Sequence, residues 1–189
     1  MTTIVVVRKG NQAAIAADSL TTFGSTRLAP SYDRNPHKII TYADSFIGVA
    51  GSAAHQLVLE NLLGRNPDLA LHGKDAIYES FRRLHPLLKD EAFLNPKEEE
   101  DDPYESSQMT VMIANPSGIF AVYSMREVFE FDRYWAIGSG RDFALGAMWV
   151  AYPRARNPEA VAKIGVEAGA EFDTGTSLPM SLHSVTLAG

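Results

Sequence analysis

Thr2, the second residue of the chain, could act as a nucleophile once Met1 is removed. A threonine with a free α-amine carries a hydroxyl group and, on the same residue, a base that can accept the proton of that hydroxyl. The pKa of a free α-amine is about 7.7–8.0, close enough to neutral for proton transfer at physiological pH. While Met1 remains, the nitrogen is an amide and cannot serve as a base. The alternative is an ordinary N-terminal strand after a start methionine, and Met-Thr-Thr alone favours that alternative.

The composition excludes several other kinds of chemistry. The 189 residues include no cysteine, so neither a thiol nucleophile nor a disulfide is available, and this is typical of a cytoplasmic protein. The five histidines lack the spacing of a metal site, and we expect no metal and no cofactor. A net charge of −6 argues against a nucleic-acid partner. No signal-peptide pattern opens the chain and no apolar run is long enough to span a membrane. Together with the absence of cysteine, this predicts a cytoplasmic location.

The elements that must position Thr2 can be predicted from apolar periodicity and turn residues. Strands are predicted at 4–8, 12–17, 38–42, 46–50, 111–114, 119–123, 135–138 and 182–187, and helices after Ser52 and at 74–89, 142–152 and 158–172. Ser52 and Asn157 are predicted helix N-caps. Strands grouped in hairpins and helices grouped in pairs indicate packed layers rather than alternating β-α-β units. At this length we expect one domain, residues 1–189.

The apolar residues at helical spacing predict which face of each helix points inward. The predicted inward residues are Leu57, Leu62 and Leu63 in the first helix, Ile77, Phe81, Leu84 and Leu88 in the second, and Val161, Ile164 and Ala168 in the fourth.

Short blocks of sequence, in a fixed order, resemble one family. The blocks are Met-Thr-Thr-Ile-Val at 1–5, Arg-Lys-Gly at 8–10, Ile-Ala-Ala-Asp at 15–18, Thr-Phe-Gly at 22–24, Lys-Ile-Ile at 38–40, Ile-Gly-Val-Ala-Gly at 47–51 and Ala-Ile-Gly-Ser-Gly at 136–140. Together they resemble the proteasome β-type subunits and HslV, which are N-terminal nucleophile threonine peptidases. Among bacterial branches the chain is similar to HslV or to the betaproteobacterial proteasome homologue. The resemblance covers nearly the whole chain, and the joint occurrence of the blocks is more specific than any single block.

This resemblance implies both a fold and an activity. The fold would be α+β, a four-layer αββα sandwich in which two antiparallel sheets lie between helical layers. The activity would be endopeptidase hydrolysis of peptide bonds by Thr2. It depends on removal of Met1, and Thr2 is small enough for methionine aminopeptidase to act, as in HslV.

The resemblance also assigns roles to residues distant from Thr2. Asp18 and Lys38 match the catalytic pair, in which a fixed ammonium lowers the pKa of the hydroxyl and a carboxylate holds the ammonium in place. Gly48 matches the glycine whose N–H stabilises the oxyanion, and Ser139 matches the serine that binds the N-terminal amine. Taken singly, these residues have plainer explanations: a turn aspartate, a surface lysine, a glycine between strand and helix, and a helix cap.

Two further residues match less closely. Asp173 and Thr176 resemble the Asp-x-x-Ser of true proteasomes, with threonine in place of serine, and HslV itself departs from the pattern at this point.

The substrate-binding residues implied by the family are Thr21, Thr22, Phe46 and Ala50. Thr22 matches a residue whose main chain pairs with a bound peptide as an added strand. Thr21, Phe46 and Ala50 match residues that line the pocket for the side chain before the cut. Phe46 would make that pocket apolar and bulky, favouring hydrophobic over acidic side chains. The alternative for Phe46 is a core residue on its strand.

Assembly and partners follow from the same resemblance. We expect a homo-oligomeric double ring that acts on polypeptide substrates. The ring symmetry, and an AAA+ unfoldase partner of the kind that docks on HslV, stay open. The alternatives are an N-terminal nucleophile amidase that acts on a small amide, and a catalytically silent ring that keeps Met1.

An acidic loop at residues 95–107 is the clearest departure from HslV. Six carboxylates in the nine residues 97–105 leave too little apolar surface to join a core, so we expect a solvated loop. The plain interpretation is a surface linker. The alternative is a negatively charged ring entrance that attracts basic, unfolded chains.

Overall fold

Strands in hairpins and helices in pairs alternate along the chain. The structure, a computed structural model, describes residues 1–97, 99 and 101–188. The strands are β1 (Thr3–Lys9), β2 (Gln12–Asp18), β3 (Thr21–Phe23), β4 (Thr26–Leu28), β5 (Ile39–Tyr42), β6 (Ser45–Ala50), β7 (Thr110–Asn115), β8 (Gly118–Val122), β9 (Val128–Glu130), β10 (Tyr134–Gly138) and β11 (Met180–Thr186). The helices are α1 (Ala53–Arg65), α2 (Lys74–Asp90), α3 (Arg141–Ala151) and α4 (Pro158–Phe172), with a 3₁₀ turn at Pro30–Tyr32.

Most of the strands belong to two antiparallel sheets. The first sheet has the strand order β10-β1-β2-β11, and the second has the order β5-β6-β7-β8-β9. β1 is a central strand, with Ile4 opposite Ile137 on one side and opposite Ala17 on the other. Because β1 is paired on both sides, its first residue, Thr3, is fixed opposite Gly138. The pairing at the start of β1 therefore holds the neighbouring Thr2 in a fixed position.

Three apolar clusters hold four layers together. One cluster lies between α1–α2 and the second sheet, one between the two sheets, and one between the first sheet and α3–α4. Members of the three clusters are, in that order, Ile47, Leu59 and Leu84; Ile4, Ile15 and Met112; and Val5, Met148 and Val161. The predicted α+β four-layer αββα sandwich is confirmed.

Local signals explain where two of the helices begin. The Ser52 side chain accepts a hydrogen bond from the Ala54 N–H, and the His55 ring accepts one from the Ser52 N–H, which is a reciprocal capping arrangement. Asn157 caps α4 by accepting from the Ala160 N–H, with Pro158 at the first helical position. Both predicted caps are confirmed.

Two of the predicted inward faces are partly wrong. Leu57 is 71% exposed, and Leu59 is the buried residue of that turn. Ile164 is 39% exposed, because α4 turns its small residues Ala162, Gly165 and Gly169 towards the first sheet instead. The spacing of apolar residues identifies large side chains, whereas the close packing of α4 on the first sheet depends on small ones. The inward face predicted for α2 is confirmed in full.

Three short strands, β3, β4 and β9, were not predicted because each has three residues and at least one exposed position. α2 continues through Pro86 to Asp90, one residue beyond the predicted end. In the described part of the chain no helix is both long and apolar enough to cross a membrane.

Candidate active site

Thr2 lies immediately before β1, at the edge of a cleft of about 260 Å³. The lining of the cleft includes Thr2, Thr21, Thr22, Lys38, Val49 and Gly51. Thr2 is 5% exposed, whereas Met1 is 57% exposed. Thr2 is therefore almost fully buried although it lines the cleft.

The Thr2 hydroxyl touches both members of a buried charge pair. Its Oγ1 donates to Asp18 Oδ1 at 2.6 Å and accepts from Lys38 Nζ at 3.0 Å. Lys38 Nζ in turn lies 2.9 Å from Asp18 Oδ1 and 3.0 Å from Oδ2. Asp18 ends β2 in the first sheet, and Lys38 directly precedes β5 in the second. The pair therefore forms where the two sheets meet.

Donors surround the Asp18 carboxylate. Oδ1 accepts from the Thr2 hydroxyl, the Thr3 N–H and Lys38. Oδ2 accepts from Lys38 and from the N–H groups of Leu20 and Ser177. The side chain is fully buried. A carboxylate that receives only donors in a buried site is held as an acceptor in one orientation.

Burial and charge act on Lys38 in opposite directions. Desolvation lowers the pKa of Lys38 and is the largest effect, while the Asp18 charge and hydrogen bond, and the more distant Asp173, raise it. The net pKa lies below the ordinary lysine value of 10.5. A lysine whose pKa is lowered in a cleft, beside a hydroxyl, is typical of a functional site.

A second polar group meets the Thr2 nitrogen. The Thr2 N–H donates to Ser139 Oγ at 3.2 Å. Ser139 Oγ donates to Asp173 Oδ2 at 2.7 Å, and Thr176 Oγ1 donates to the same oxygen at 2.6 Å. Ser139 lies in the turn between β10 and α3, and Asp173 directly follows α4. The structure thus brings Ser139, Asp173 and Thr176 together beside Thr2.

The pKa of Asp173 is lowered although burial opposes this. Desolvation is the largest effect and would raise the pKa. Hydrogen bonds from Ser139, Thr176 and the Gly175 N–H lower it, and so does the charge of the Met1 ammonium. Asp173 is therefore poised to stabilise a cation at the N-terminus.

Met1 blocks the α-nitrogen of Thr2 in this structure. Its side chain packs over Gly175, where an added Cβ would clash with it. The nitrogen of Thr2 is then an amide donor to Ser139 and has no basic lone pair. Hydroxyl, lysine and carboxylate are in contact, but a base on Thr2 itself requires removal of Met1.

Gly48 lies close to the start of β1. A Cβ on Gly48 would lie 2.8 Å from Ile4 Cγ2, so only glycine lets the two sheets approach at this point. Its neighbour Val49 lines the cleft.

Thr21 and Thr22 line the cleft, but Phe46 and Ala50 are not among its lining residues. Phe46 and Ala50 pack against the cluster between the sheets, and the Phe46 ring stacks on His183 with centroids 4.6 Å apart. Side chains alternate along β6, and these two share the inter-sheet side with Gly48. The assignment of Phe46 and Ala50 to the substrate pocket stays a prediction, and the contacts of Phe46 in this structure are those of an inter-sheet side chain.

Thr3 was not among the site residues predicted from the sequence. Its side chain is fully buried, and its Oγ1 lies 2.8 Å from Thr176 Oγ1. The doubled threonine at positions 2 and 3 was the only available signal. No group of three or more histidine, aspartate or glutamate side chains in the described residues is arranged to hold a metal ion.

Comparison with known proteins gives relatives that match over most of the chain. No family model matches the chain. The ATP-dependent protease subunit HslV of Bartonella quintana is 26% identical over 176 residues, which span 90% of this chain and 82% of that protein. The solved structure of Thiobacillus denitrificans BPH in complex with epoxomicin has a TM-score of 0.92 at 38% identity, covering 99% of this chain and 100% of that one. Eukaryotic HslV from Trypanosoma brucei shares the fold, with a TM-score of 0.70 at 20% identity over 97% and 99% of the two chains.

Identity of 38% over almost the entire length goes beyond a shared fold. The HslV relative also matches over most of its own length. The chain belongs to the HslV/proteasome β-type family of threonine peptidases.

Proposed function

We propose that the chain is an endopeptidase in which Thr2, freed by removal of Met1, is the nucleophile. One observation carries this proposal: the Thr2 hydroxyl lies 2.6 Å from Asp18 Oδ1 and 3.0 Å from Lys38 Nζ at the same time. A buried ammonium next to a hydroxyl stabilises the alkoxide that attacks a carbonyl. Asp18 keeps that ammonium in place.

In the first step, Thr2 Oγ1 attacks the carbonyl carbon of the scissile peptide bond. The hydroxyl proton moves to the Thr2 α-amine, and the carbonyl oxygen becomes an oxyanion. The Gly48 N–H stabilises this oxyanion. The C–N bond then breaks, the leaving amine takes the proton from the Thr2 ammonium, and an ester to Thr2 remains.

In the second step, water hydrolyses the ester. The Thr2 amine accepts a proton from the water, the resulting hydroxide attacks the ester carbonyl, and Thr2 Oγ1 leaves with a proton returned by the ammonium. Ser139 accepts a hydrogen bond from the Thr2 nitrogen and donates to Asp173, and Thr176 donates to the same oxygen of Asp173. These three residues orient the base without forming a bond to substrate.

Polypeptides are the substrates in this proposal. β3, which contains Thr21 and Thr22, pairs only with β4 within the described residues, and both threonines line the cleft. The free edge of β3 could take an extended peptide as an added strand, which requires main-chain contacts rather than a particular sequence. Such an edge suits unfolded chains better than a small amide.

Assembly and location belong to the same proposal. We place the peptidase, as one domain of residues 1–189, in a cytoplasmic homo-oligomeric double ring with Thr2 facing the chamber. The family includes an ATP-dependent protease subunit. Binding of an AAA+ unfoldase to the ring is therefore measured together with the size of the ring. Analytical ultracentrifugation should give a large ring at micromolar concentration; a monomer or dimer would contradict the ring.

Intact-mass spectrometry with epoxomicin tests the nucleophile. We expect the purified protein to lack Met1 and to form one covalent adduct per subunit, mapped to Thr2, because an epoxyketone reacts with the hydroxyl and amine of a single residue. Thr2→Ala should abolish both the adduct and peptide hydrolysis. Full retention of Met1 in the natural host, or an absence of adduct on Met1-free protein, would sink the proposal.

A further inference from the structure

The side chain of Thr3 stands at the buried end of a hydrogen-bond chain that leads to the Thr2 nitrogen. Thr3 is completely buried and its Oγ1 lies 2.8 Å from Thr176 Oγ1. Thr176 contacts Asp173, Asp173 contacts Ser139, and Ser139 contacts the Thr2 nitrogen. We propose that Thr3 is a positioning residue, which acts through Thr176 and Asp173 on the base of the peptidase. The inference rests on the proposed role of the Thr2 amine.

The donor and acceptor in each hydrogen bond of this series follow from counting the hydroxyl protons. Asp173 accepts, so the single hydroxyl proton of Thr176 is used at 2.6 Å on Asp173 Oδ2. In the contact between the two threonines, Thr176 must then accept and Thr3 must donate. On the other side, the Ser139 proton is used at 2.7 Å on the same carboxylate oxygen, which leaves a lone pair of Ser139 for the Thr2 nitrogen. The Ser139 hydroxyl also lies 3.4 Å from the Thr2 carbonyl oxygen, but its shorter contact is the one with Asp173, so the shortest contacts assign each hydroxyl proton in one direction.

Two helices leave room for the Thr3 side chain. A Cβ on Gly140, the residue before α3, would collide with Thr3 Oγ1. A Cβ on Gly169, near the end of α4, would lie 2.5 Å from the same oxygen. Gly140 and Gly169 thus form a slot that fits Thr3 and excludes larger neighbours. A side chain held between two helices and its own strand cannot turn its hydroxyl away at low cost.

The electrostatic consequence falls on the Thr2 nitrogen. The charged groups near it are Asp173, joined through Ser139, and the pair of Asp18 and Lys38 at the hydroxyl. Donation by Thr3 polarises the Thr176 hydroxyl, which then binds the Asp173 carboxylate more strongly. Without Thr3 the carboxylate is less neutralised and holds the Thr2 ammonium more tightly. The pKa of the amine should rise, and less free base should be present at neutral pH.

Thr3→Val tests this, because valine keeps the shape and removes the hydroxyl. At a pH below the pKa of the Thr2 amine, we expect kcat for a small peptide to fall by up to about threefold, with KM within about twofold. The acid limb of the pH profile of kcat/KM should move to higher pH by roughly half a unit. Thr3→Ser, the matched control, keeps the hydroxyl and should stay near the wild-type limb. A purely structural role would lower the melting temperature of both variants and leave the limb in place.

A double-mutant cycle with Thr176→Val tests the route. If Thr3 acts through Thr176, adding Thr3→Val to Thr176→Val should change kcat by less than about twofold, because coupled residues are not additive. Independent, multiplicative effects would overturn the route. If Thr3→Val does not fold, Thr3→Ala replaces it. The acid limb of the kcat/KM profile of Thr3→Ala must then lie at a higher pH than that of Thr3→Ser.

Failure of this inference can be told apart from failure of the proposed function. Thr2→Ala is measured beside the Thr3 variants. Activity retained by Thr2→Ala would overturn the nucleophile and the inference with it. An inactive Thr2→Ala together with a Thr3→Val protein that has the wild-type kcat and pH limb would overturn the role of Thr3 alone.

Discussion

Lys38 reaches Asp18 across the gap between the two sheets, with its Nζ 2.9 and 3.0 Å from the two carboxylate oxygens. Asp18 belongs to the first sheet and Lys38 leads into the second. The ion pair beside the Thr2 hydroxyl therefore forms only when the two sheets are packed against each other in their native positions. In this fold, the chemistry proposed for Thr2 therefore depends on the packing between the two sheets.

Lys38→Met should remove catalysis and weaken the fold. Without the ammonium, the alkoxide of Thr2 loses its nearest cation, and we expect kcat/KM to fall at least about a hundredfold. The buried Asp18 would lose its counter-ion but keep the donors Thr2, Thr3 and Leu20. A loss of about 1–3 kcal/mol in the free energy of unfolding follows, less than for an entirely unpaired buried charge. Peptide kinetics and urea unfolding measure the two effects.

Lys9→Met is the matched control for Lys38→Met. Lys9 donates to the Tyr152 carbonyl oxygen at 2.7 Å and lies over the Tyr152 ring, outside the cleft. Its loss should lower stability slightly and leave kcat/KM within about twofold. If Lys38→Met kept activity at the level of Lys9→Met, the role proposed for Lys38 would be wrong.

Gly48→Ala should destabilise the packing between the sheets. The added methyl would lie 2.8 Å from Ile4 Cγ2 and 3.6 Å from Ile15 Cδ1, both in fully buried side chains. Overpacking of this kind costs about 1–3 kcal/mol. Shifting Ile4 would also displace Thr2, two residues earlier, so peptidase activity should fall with stability. Thermal and urea unfolding together with peptide kinetics would measure both.

Gly64→Ala provides the comparison for Gly48→Ala. Gly64 lies in α1 with open space around it, and alanine favours a helix over glycine by about 0.5–1 kcal/mol. Its unfolding midpoint should rise and its activity should not change. A Gly48→Ala protein as stable as Gly64→Ala would contradict the tight contact between Gly48 and Ile4.

Features that depend on residues close in sequence could be predicted from local patterns, whereas features that depend on residues far apart in sequence could not. The cap residues Ser52 and Asn157 act over three residues, so the helix starts were predicted correctly. The role proposed for Thr3 depends on Thr176, 173 positions away, and on Gly140 and Gly169, so no local pattern could indicate it. Asp18 and Lys38 were found through family resemblance, since their contact is made by tertiary packing.

The stability of the protein should depend on pH through His85. Arg126 donates to His85 Nδ1 at 3.1 Å, so the neutral ring carries its proton on Nε2, which faces Glu105 at 3.1 Å. Burial is the largest effect on the pKa of His85 and lowers it, as do the charges of Arg126 and Lys89, while Glu105 raises it. Because the folded pKa lies below the ordinary value of 6.5, the unfolded chain binds more protons in that range. The contribution of His85 is complete above pH 6.5 and is lost as the pH falls towards the folded pKa.

His85→Gln should flatten this dependence. The glutamine amide can donate to Glu105 and accept from Arg126, but it does not titrate. Urea midpoints at pH 8, 6.5 and 5.5 should fall less in the variant than in the wild type. His55 and His183 also have pKa values lowered by burial and remain in both proteins, so only the difference between the two slopes counts. Identical slopes would mean that His85 is protonated without cost.

The acidic loop at residues 95–107 is anchored at its base, which allows its charge to be changed without changing the fold. The Ser106 N–H donates to the Pro96 carbonyl oxygen at 2.9 Å, and Glu105 is bound by Lys89 at 2.5 Å. The charge of Glu105 is thus already paired. The carboxylates of Glu99, Asp101 and Asp102 are described and belong to the loop, whereas Glu98 and Glu100 lie outside the described residues.

Replacing residues 98–102 with Ser and Gly should therefore leave the ring and the cleavage of very small peptides intact. If the loop lines the entrance of the proposed ring, its repeated charge attracts basic unfolded chains, and the variant should degrade such a chain more slowly. The salt dependence of degradation should flatten as well, because screening has less charge to act on. The measurement compares basic and acidic unfolded substrates of equal length at low and high salt. Equal rates for both substrates with the unaltered protein would leave the loop as a surface linker only.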